Sequence, residues 1–295
     1  MSQSNEKKWS GKSRGGRFGY LFFVHTIRLL GVRGAYALLA LVAIYFIPFA
    51  PKATAAIWRY NRQRRQLGRL RSVWELYAHY YLFGQTLIDR IALRAGMHDR
   101  YHFLFDNYER FLEIINAESG TVLVGAHVGC WEAGAGFFGK YGKKINIVMF
   151  DAEHEAIKEV LRANGQAGDY KIIPVNQGSL EAMLEIKFAL DRGEYACFNG
   201  DRYLDRKTAV EFDFLGGRAG FPSGPFRIAS KCRVPVVFYY AMREKGRRYR
   251  FLFTEVPPEE CRRSESLMEA YVRSLEELLA RYPRQWFNFY NFWND

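Results

Sequence analysis

The chain has 295 residues and a mass of 34.4 kDa, which is enough for one large α/β domain. Hydrophobic residues make up 49% and charged residues 25%, a globular balance that excludes a disordered chain. The net charge is +12, and residues 1–100 carry the excess, with seventeen Lys and Arg against four Asp and Glu. Such a basic segment faces either nucleic acid phosphates or anionic lipid headgroups.

An apolar run within this basic segment favours lipid. Residues 34–50 carry no charge, and as a helix they would extend about 26 Å, just short of the roughly 30 Å hydrocarbon core of a bilayer. Pro48 is expected to kink or end this helix. The run therefore predicts either a marginal transmembrane helix or a segment that enters one leaflet. A buried core helix of a soluble protein is the alternative.

Positive charge on both sides of the apolar run favours entry and exit at the cytoplasmic face. The arginine-rich stretch 59–71 is interleaved with Trp and Tyr, as in an interfacial belt. A solvated helix face and a contact with nucleic acid are the alternative interpretations of this stretch. We expect no nucleic acid partner. We predict a membrane anchor over 1–55, a basic aromatic helical segment over 56–115 and an α/β domain over 116–295.

Strand-like and helix-like segments alternate from residue 120 onward. Strands are predicted at 121–126, 145–150, 171–175, 195–198, 209–214, 234–241 and 249–256. Helices are predicted at about 131–141, 153–164, 179–192, 223–232 and 264–281. This alternation predicts a mixed, mostly parallel sheet flanked by helices, with an antiparallel edge where a short charged turn joins the last two strands.

The first candidate site follows the strand at 121–126. His127 comes directly after this strand, and Glu132 follows five residues later, at the start of the next helix. A carboxylate on one imidazole nitrogen fixes the tautomer and leaves the other nitrogen to act as general base. A core histidine with an incidental glutamate is the alternative interpretation. A metal site with Cys130 lacks a second pair of ligands, so we predict neither a metal nor a cofactor.

The second candidate site follows the strand at 195–198. Asp201 and Arg202 come first, and a glycine-rich loop then leads into a helix. Such loops present backbone N–H groups to an anion, although many are simply turns. The candidate substrate-binding residues of this loop are Gly217, Arg218, Ser223 and Gly224. Ser223 does not lie in a G-x-S-x-G elbow, which argues against a serine hydrolase.

Taken in order, these segments resemble the bacterial late lipid A acyltransferases, the lauroyl and myristoyl transferases, and related membrane glycolipid acyltransferases. The resemblance covers nearly the whole chain. The matching segments are Trp9-Ser10-Gly11, Gly125-Ala126-His127 through Trp131-Glu132, Asp201 with Arg206-Lys207, Gly216 through Gly224, Val234-Pro235 and Tyr282 through Trp286.

The resemblance implies a glycerolphosphate-acyltransferase-like fold at the cytoplasmic face of the bacterial inner membrane. It implies that a fatty acyl group passes from a thioester, of acyl carrier protein or coenzyme A, to a lipid hydroxyl. His127 would be the general base and Glu132 its orienting partner. Asp201 and Arg202 would position substrate, and the 217–224 loop would border a phosphate of the acceptor or the carrier.

Two departures from the family pattern bear on the acceptor. Asp151 stands where many relatives have an arginine, and the chain ends in an aromatic segment where lipid A enzymes tend to have a basic tail. Both reduce the positive charge available to a phosphorylated acceptor. An aminolipid, another glycolipid or an aryl-polyene-type lipid is therefore an alternative acceptor to lipid A itself. The alternative functions are a thioesterase and a non-enzymatic protein that binds membrane surfaces or nucleic acid.

Overall fold

A computed structural model describes residues 16–130, 133, 143–149, 170–175, 180–203 and 206–293. Its main sheet has seven strands in the order β1-β9-β8-β2-β5-β3-β4. The strands are β1 (His102–Phe105), β2 (Thr121–Gly125), β3 (Ile145–Met149), β4 (Tyr170–Pro174), β5 (Tyr195–Asn199), β8 (Val236–Glu244) and β9 (Arg248–Glu255). A separate antiparallel hairpin is formed by β6 (Ala209–Phe214) and β7 (Gly217–Pro222).

The strands at the centre of the main sheet run parallel, with β2 between β5 and β8 and β3 between β5 and β4. Only the β8–β9 pair is antiparallel in this sheet, among the residues described. The predicted mixed, mostly parallel sheet is therefore confirmed. The antiparallel strand β9 is not the edge, however, because β1 pairs with it in parallel.

Helices cover both faces of the sheet and form the N-terminal part of the chain. The helices described are α1 (Gly16–Phe49), α2 (Pro51–Arg59), α3 (Arg69–Arg94), α4 (Tyr108–Asn116), α5 (Leu180–Asp191), α6 (Gly224–Cys232), α7 (Pro258–Cys261) and α8 (Ser264–Arg281). A π-helical turn, Tyr60–Arg64, follows α2. In the part of the chain that the structure describes, two short 3₁₀ turns lie at His98–Arg100 and Arg206–Thr208.

The long helix α1 packs one face against α3 and exposes much of the rest. Gly84 of α3 leaves room for Leu39, since a side chain at Gly84 would collide with it. Residues Phe22–Phe49 have a mean hydropathy of 1.9 and are long and apolar enough to cross a membrane, by length and composition. Seven large apolar side chains described on this helix are exposed: Phe22, Leu29, Leu30, Leu41, Ile44, Tyr45 and Phe49. This exposure favours a membrane anchor over a core helix.

A buried polar cluster joins α1 and α3 to the sheet. The Asp89 carboxylate of α3 accepts hydrogen bonds from the Tyr36 hydroxyl of α1 and from Nε of Arg243 in β8. The hydroxyls of Tyr101 and Tyr249 donate to the same carboxylate at 2.9 and 2.7 Å. The anchor helix is thus bonded directly to the sheet. The division of the chain at residues 55 and 115 stays a prediction.

The predicted elements agree with the structure where the sequence pattern is strong. Helix α8 has the predicted bounds, and six predicted strands begin and end within one residue of those found. The loop predicted through 217–224 was wrong, because Gly217–Pro222 form β7 and pair with β6. The helices predicted at about 131–141 and 153–164 lie outside the described residues, apart from Ala133.

Candidate active site

The two neighbouring strands β2 and β5 bring His127 and Asp201 together. The two strands are parallel, and Gly125 at the end of β2 pairs with Asn199 at the end of β5. His127 and Asp201 each lie two residues beyond these paired ends, so they emerge side by side at the carboxyl edge of the sheet. This is the edge where parallel α/β sheets hold their ligands.

The Asp201 carboxylate makes three hydrogen bonds and is 1% exposed. Its Oδ1 lies 2.7 Å from Nδ1 of His127, and its Oδ2 accepts from the His127 backbone N–H at 3.0 Å. The indole N–H of Trp286 donates to the same Oδ2 at 3.4 Å. Both carboxylate oxygens are therefore turned toward the loop that carries the histidine.

The state of the Asp201 carboxyl fixes the tautomer of His127. Burial alone would raise the pKa of Asp201, but the His127 ring and its hydrogen bonds, with the nearby Arg202, lower it to about 2. Asp201 is therefore ionised at neutral pH, and Nδ1 of His127 carries the proton that it donates. The His127 side chain is 22% exposed, so its ring is accessible from the edge of the sheet.

The C-terminal segment holds the His127 loop in place. The backbone N–H of Phe287 donates to the carbonyl of His127 at 2.9 Å, and the N–H of Gly129 donates to the carbonyl of Gln285 at 3.0 Å. Trp286 forms a β-bridge with Val128 between these two bonds. Backbone hydrogen bonds to the C-terminal segment therefore fix the loop at His127 and at Gly129.

Gly129 is predicted to be indispensable in this loop. Its φ of 53° is left-handed, and a Cβ there would collide with the carbonyl oxygen of Ala241. Replacing Gly129 with alanine should lower the free energy of unfolding by about 2–5 kcal/mol, from strain plus overpacking. Gly246 is the matched control, because its φ is 73° but nothing lies near its Cβ.

The Gly246→Ala variant should lose only about 1–2 kcal/mol of unfolding free energy, which is the cost of the strained left-handed backbone. Denaturant unfolding of the purified chain in detergent measures both losses. Equal losses in the two variants would show that the close approach to Ala241 contributes nothing.

The other predicted site residues lie in several places. Nη2 of Arg202 donates to the carbonyl of Phe287 at 2.9 Å, which joins it to the same C-terminal segment as His127. Arg218 pairs with Asp213 across the β6–β7 hairpin. The hydroxyl of Ser223 donates to the carbonyl of Thr208. Gly217 begins β7 and Gly224 begins α6. Glu132 and Asp151 lie outside the described residues.

Basic residues of the π-helical turn lie against the hairpin and the C-terminal segment. Nη1 of Arg64 donates to the carbonyl of Gly216, and its guanidinium lies 4.7 Å from the centre of the Trp293 ring. The buried Glu75 of α3 binds Arg284 through both carboxylate oxygens and also binds Arg65. The hydrogen bonds from Arg284 and Arg65 outweigh burial and lower the pKa of Glu75 to about 2.

Sequence reasoning did not find the contacts of Gln285 and Trp286 with the histidine loop. It also gave Asp201 a substrate-positioning role, whereas the structure directs this carboxylate at His127. One signal was present in the sequence, since His127 and Asp201 each come within three residues of the end of a strand-like run. Strand order, which makes those two runs neighbours, was the missing information.

A histidine aligned by a buried carboxylate at the carboxyl edge of a parallel sheet defines a site for general acid–base chemistry. Residues 75–295 match the family model of bacterial lipid A biosynthesis acyltransferases. The chain belongs to this family, and it is an acyltransferase for lipid A-like substrates. With the apolar helix α1, this family points to membrane association. No curated protein matches the chain.

Proposed function

We propose that the chain moves a fatty acyl group from an acyl thioester to a hydroxyl of a lipid A precursor or related membrane lipid, with His127 as general base. The contact between His127 Nδ1 and the buried Asp201 carboxylate carries this proposal. A carboxylate in this position holds the ring in one tautomer and stabilises the imidazolium that forms during proton transfer.

The reaction needs no nucleophile from the protein. Nε2 of His127 takes the proton of the acceptor hydroxyl as its oxygen attacks the thioester carbonyl. The carbon–sulfur bond then breaks, and the thiolate leaves with the proton from the imidazolium, so an ester and a free thiol are formed. Positive charge on the ring is transient, and Asp201 remains ionised throughout because its pKa is about 2.

Glu132 is proposed as a second carboxylate of the active site, in addition to Asp201. Its spacing of five residues from His127 matches the family motif, and the orienting role predicted for it can be shared with Asp201. The proposed substrate-binding residues are Arg202, Gly217, Arg218, Ser223 and Gly224. Arg202 has the strongest structural support, because it binds the C-terminal segment that also holds the His127 loop.

Acyl carrier protein is the donor that the charge distribution favours. It is acidic, and the basic N-terminal third would attract it to the cleft. Coenzyme A is the alternative donor. The apolar face of α1 and the positive charge on both its flanks support a position at the cytoplasmic face of the bacterial inner membrane.

The test is acyl transfer from labelled acyl carrier protein, and in parallel from labelled acyl-CoA, into total bacterial membrane lipid. Wild-type protein should produce a labelled lipid whose mass identifies the acceptor, and the Glu132→Gln variant should produce much less. Release of labelled fatty acid without labelled lipid would support a thioesterase instead. Failure of the intact, folded protein to consume either thioester would contradict the proposal.

A further inference from the structure

A group of arginines lies at the break in α1. The helix loses its regular backbone at Gly31, where φ is 69° and ψ is 178°. An open pocket of about 350 Å³ lies there. It is lined by Leu30, Gly31, Val32, Arg33, Arg100 and Arg247.

Three separate elements contribute the arginines of this pocket. Arg33 belongs to α1, Arg100 ends the 3₁₀ turn before β1, and Arg247 lies in the turn between β8 and β9. Their side chains form no hydrogen bond or ion pair with any other residue that the structure describes. Three acids of the same or adjoining elements are already occupied, since Asp89 binds Arg243 and both Glu244 and Asp106 bind Arg250, whereas Asp99 beside Arg100 is exposed.

Three unneutralised guanidinium groups around one pocket repel each other, and an anion between them removes that repulsion. One guanidinium group can donate two parallel N–H hydrogen bonds to two oxygens of the same phosphate. Phosphate is therefore the anion that these arginines fit best.

The surroundings of the pocket indicate where that phosphate comes from. Leu30 lines the pocket beside the arginines and is 67% exposed, and Leu29, which precedes it in α1, is 81% exposed. Both belong to the exposed apolar surface of α1. A soluble phosphate would leave these leucines in water, whereas a phospholipid covers them with its acyl chains and places its headgroup in the pocket.

We propose that Arg33, Arg100 and Arg247 form a binding site for the phosphate headgroup of an anionic membrane phospholipid. The β8–β9 turn and the start of β1 lie at the same edge of the sheet as His127, since β8 runs parallel to β2. A lipid bound in this pocket therefore turns the active-site edge toward the bilayer, where the acceptor is found.

The experiment is flotation of the full chain with vesicles of phosphatidylcholine alone and of phosphatidylcholine mixed with phosphatidylglycerol. The triple variant Arg33→Gln/Arg100→Gln/Arg247→Gln should bind the mixed vesicles at least about tenfold more weakly than wild type. The matched control removes three positive charges at the opposite edge of the sheet, by Lys231→Gln/Arg233→Gln/Arg262→Gln. This control should bind as wild type does.

Further arms separate the possible sources of the phosphate. Inorganic phosphate should not displace the vesicles at concentrations where short-chain phosphatidylglycerol does; equal displacement would mean a site for free anions. A higher KM for the lipid acceptor in the triple variant, with unchanged vesicle binding, would assign the pocket to the acceptor and overturn the proposal. Equal binding by wild type and the triple variant would also overturn it.

This test does not depend on catalysis. The His127→Ala variant should bind the mixed vesicles as wild type does, so a failure of the proposed reaction and a failure of the lipid site are distinguishable. The triple Arg→Lys variant should show intermediate binding, because lysine keeps the charge but not the paired hydrogen bonds.

Discussion

Replacing His127 with alanine is expected to slow acyl transfer by about 10²–10⁴, the usual contribution of a general base. The variant removes the ring that Asp201 aligns, but it leaves the backbone bonds of the loop, which involve the amide and carbonyl of residue 127. The fall should therefore appear in kcat, with little change in KM for the thioester. Initial rates of labelled lipid formation measure it.

Asp201→Asn tests whether the carboxylate acts through the histidine. Alone it should lower kcat strongly, because asparagine carries no charge to stabilise the imidazolium. Combined with His127→Ala, it should cost almost nothing more, since the two residues act as a unit. A purely structural role for Asp201 would instead lower the rate again in the double variant.

The control for these measurements is Asp191→Asn. Asp191 is an exposed carboxylate at the end of α5 that pairs with Lys187, before β5 begins and so at the opposite edge of the sheet. Its loss should leave the rate unchanged. A His127→Ala variant that is folded and as active as wild type would exclude the general-base assignment.

Asp89→Asn is expected to cost about 3–5 kcal/mol of unfolding free energy, the usual loss when a buried ion pair loses one partner. Asp89 is 0% exposed and Arg243 is nearly buried, so the remaining guanidinium would lose the carboxylate with which it forms its ion pair. Burial also raises the pKa of Tyr249 well above its usual range, so its hydroxyl stays protonated and donates to Asp89. Asparagine would turn an N–H group toward these donors.

Denaturant unfolding in detergent measures this loss, and Asp99→Asn is the control because Asp99 is exposed. Asp89→Leu combined with Arg243→Met should recover part of the stability, since apolar residues can replace a buried ion pair. A loss below about 0.5 kcal/mol for Asp89→Asn, the range of ordinary surface substitutions, would contradict the prediction.

The Asp89 variant should also affect the active site. The side chain of Gln285 bonds to the backbone N–H and carbonyl of Arg243, and the carbonyl of Gln285 accepts the N–H of Gly129. The buried cluster is thus connected through β8 and the C-terminal segment to the loop of His127. Loosening it should reduce the rate of transfer as well as the stability.

Sequence alone determined the features that depend on local pattern. The period of apolar residues gave helix α8 with its bounds, and short apolar runs gave the central strands β2 and β5. The order of motifs indicated the family, and the charge excess before residue 100 with the uncharged run 34–50 predicted a membrane anchor. The helix and strand signals each lie within a few tens of residues, the range over which helical and strand periodicity can be recognised.

Only the tertiary structure decided which residues meet. The Asp201 carboxylate reaches His127 because β5 lies beside β2, although seventy-four residues separate the two side chains in the chain. Gln285 and Trp286 support the loop because the C-terminal segment returns to β2, and Arg33, Arg100 and Arg247 converge because α1 packs beside the β8–β9 turn. Strand order and helix docking arise from burying apolar surface between distant segments, which no local period in the sequence records.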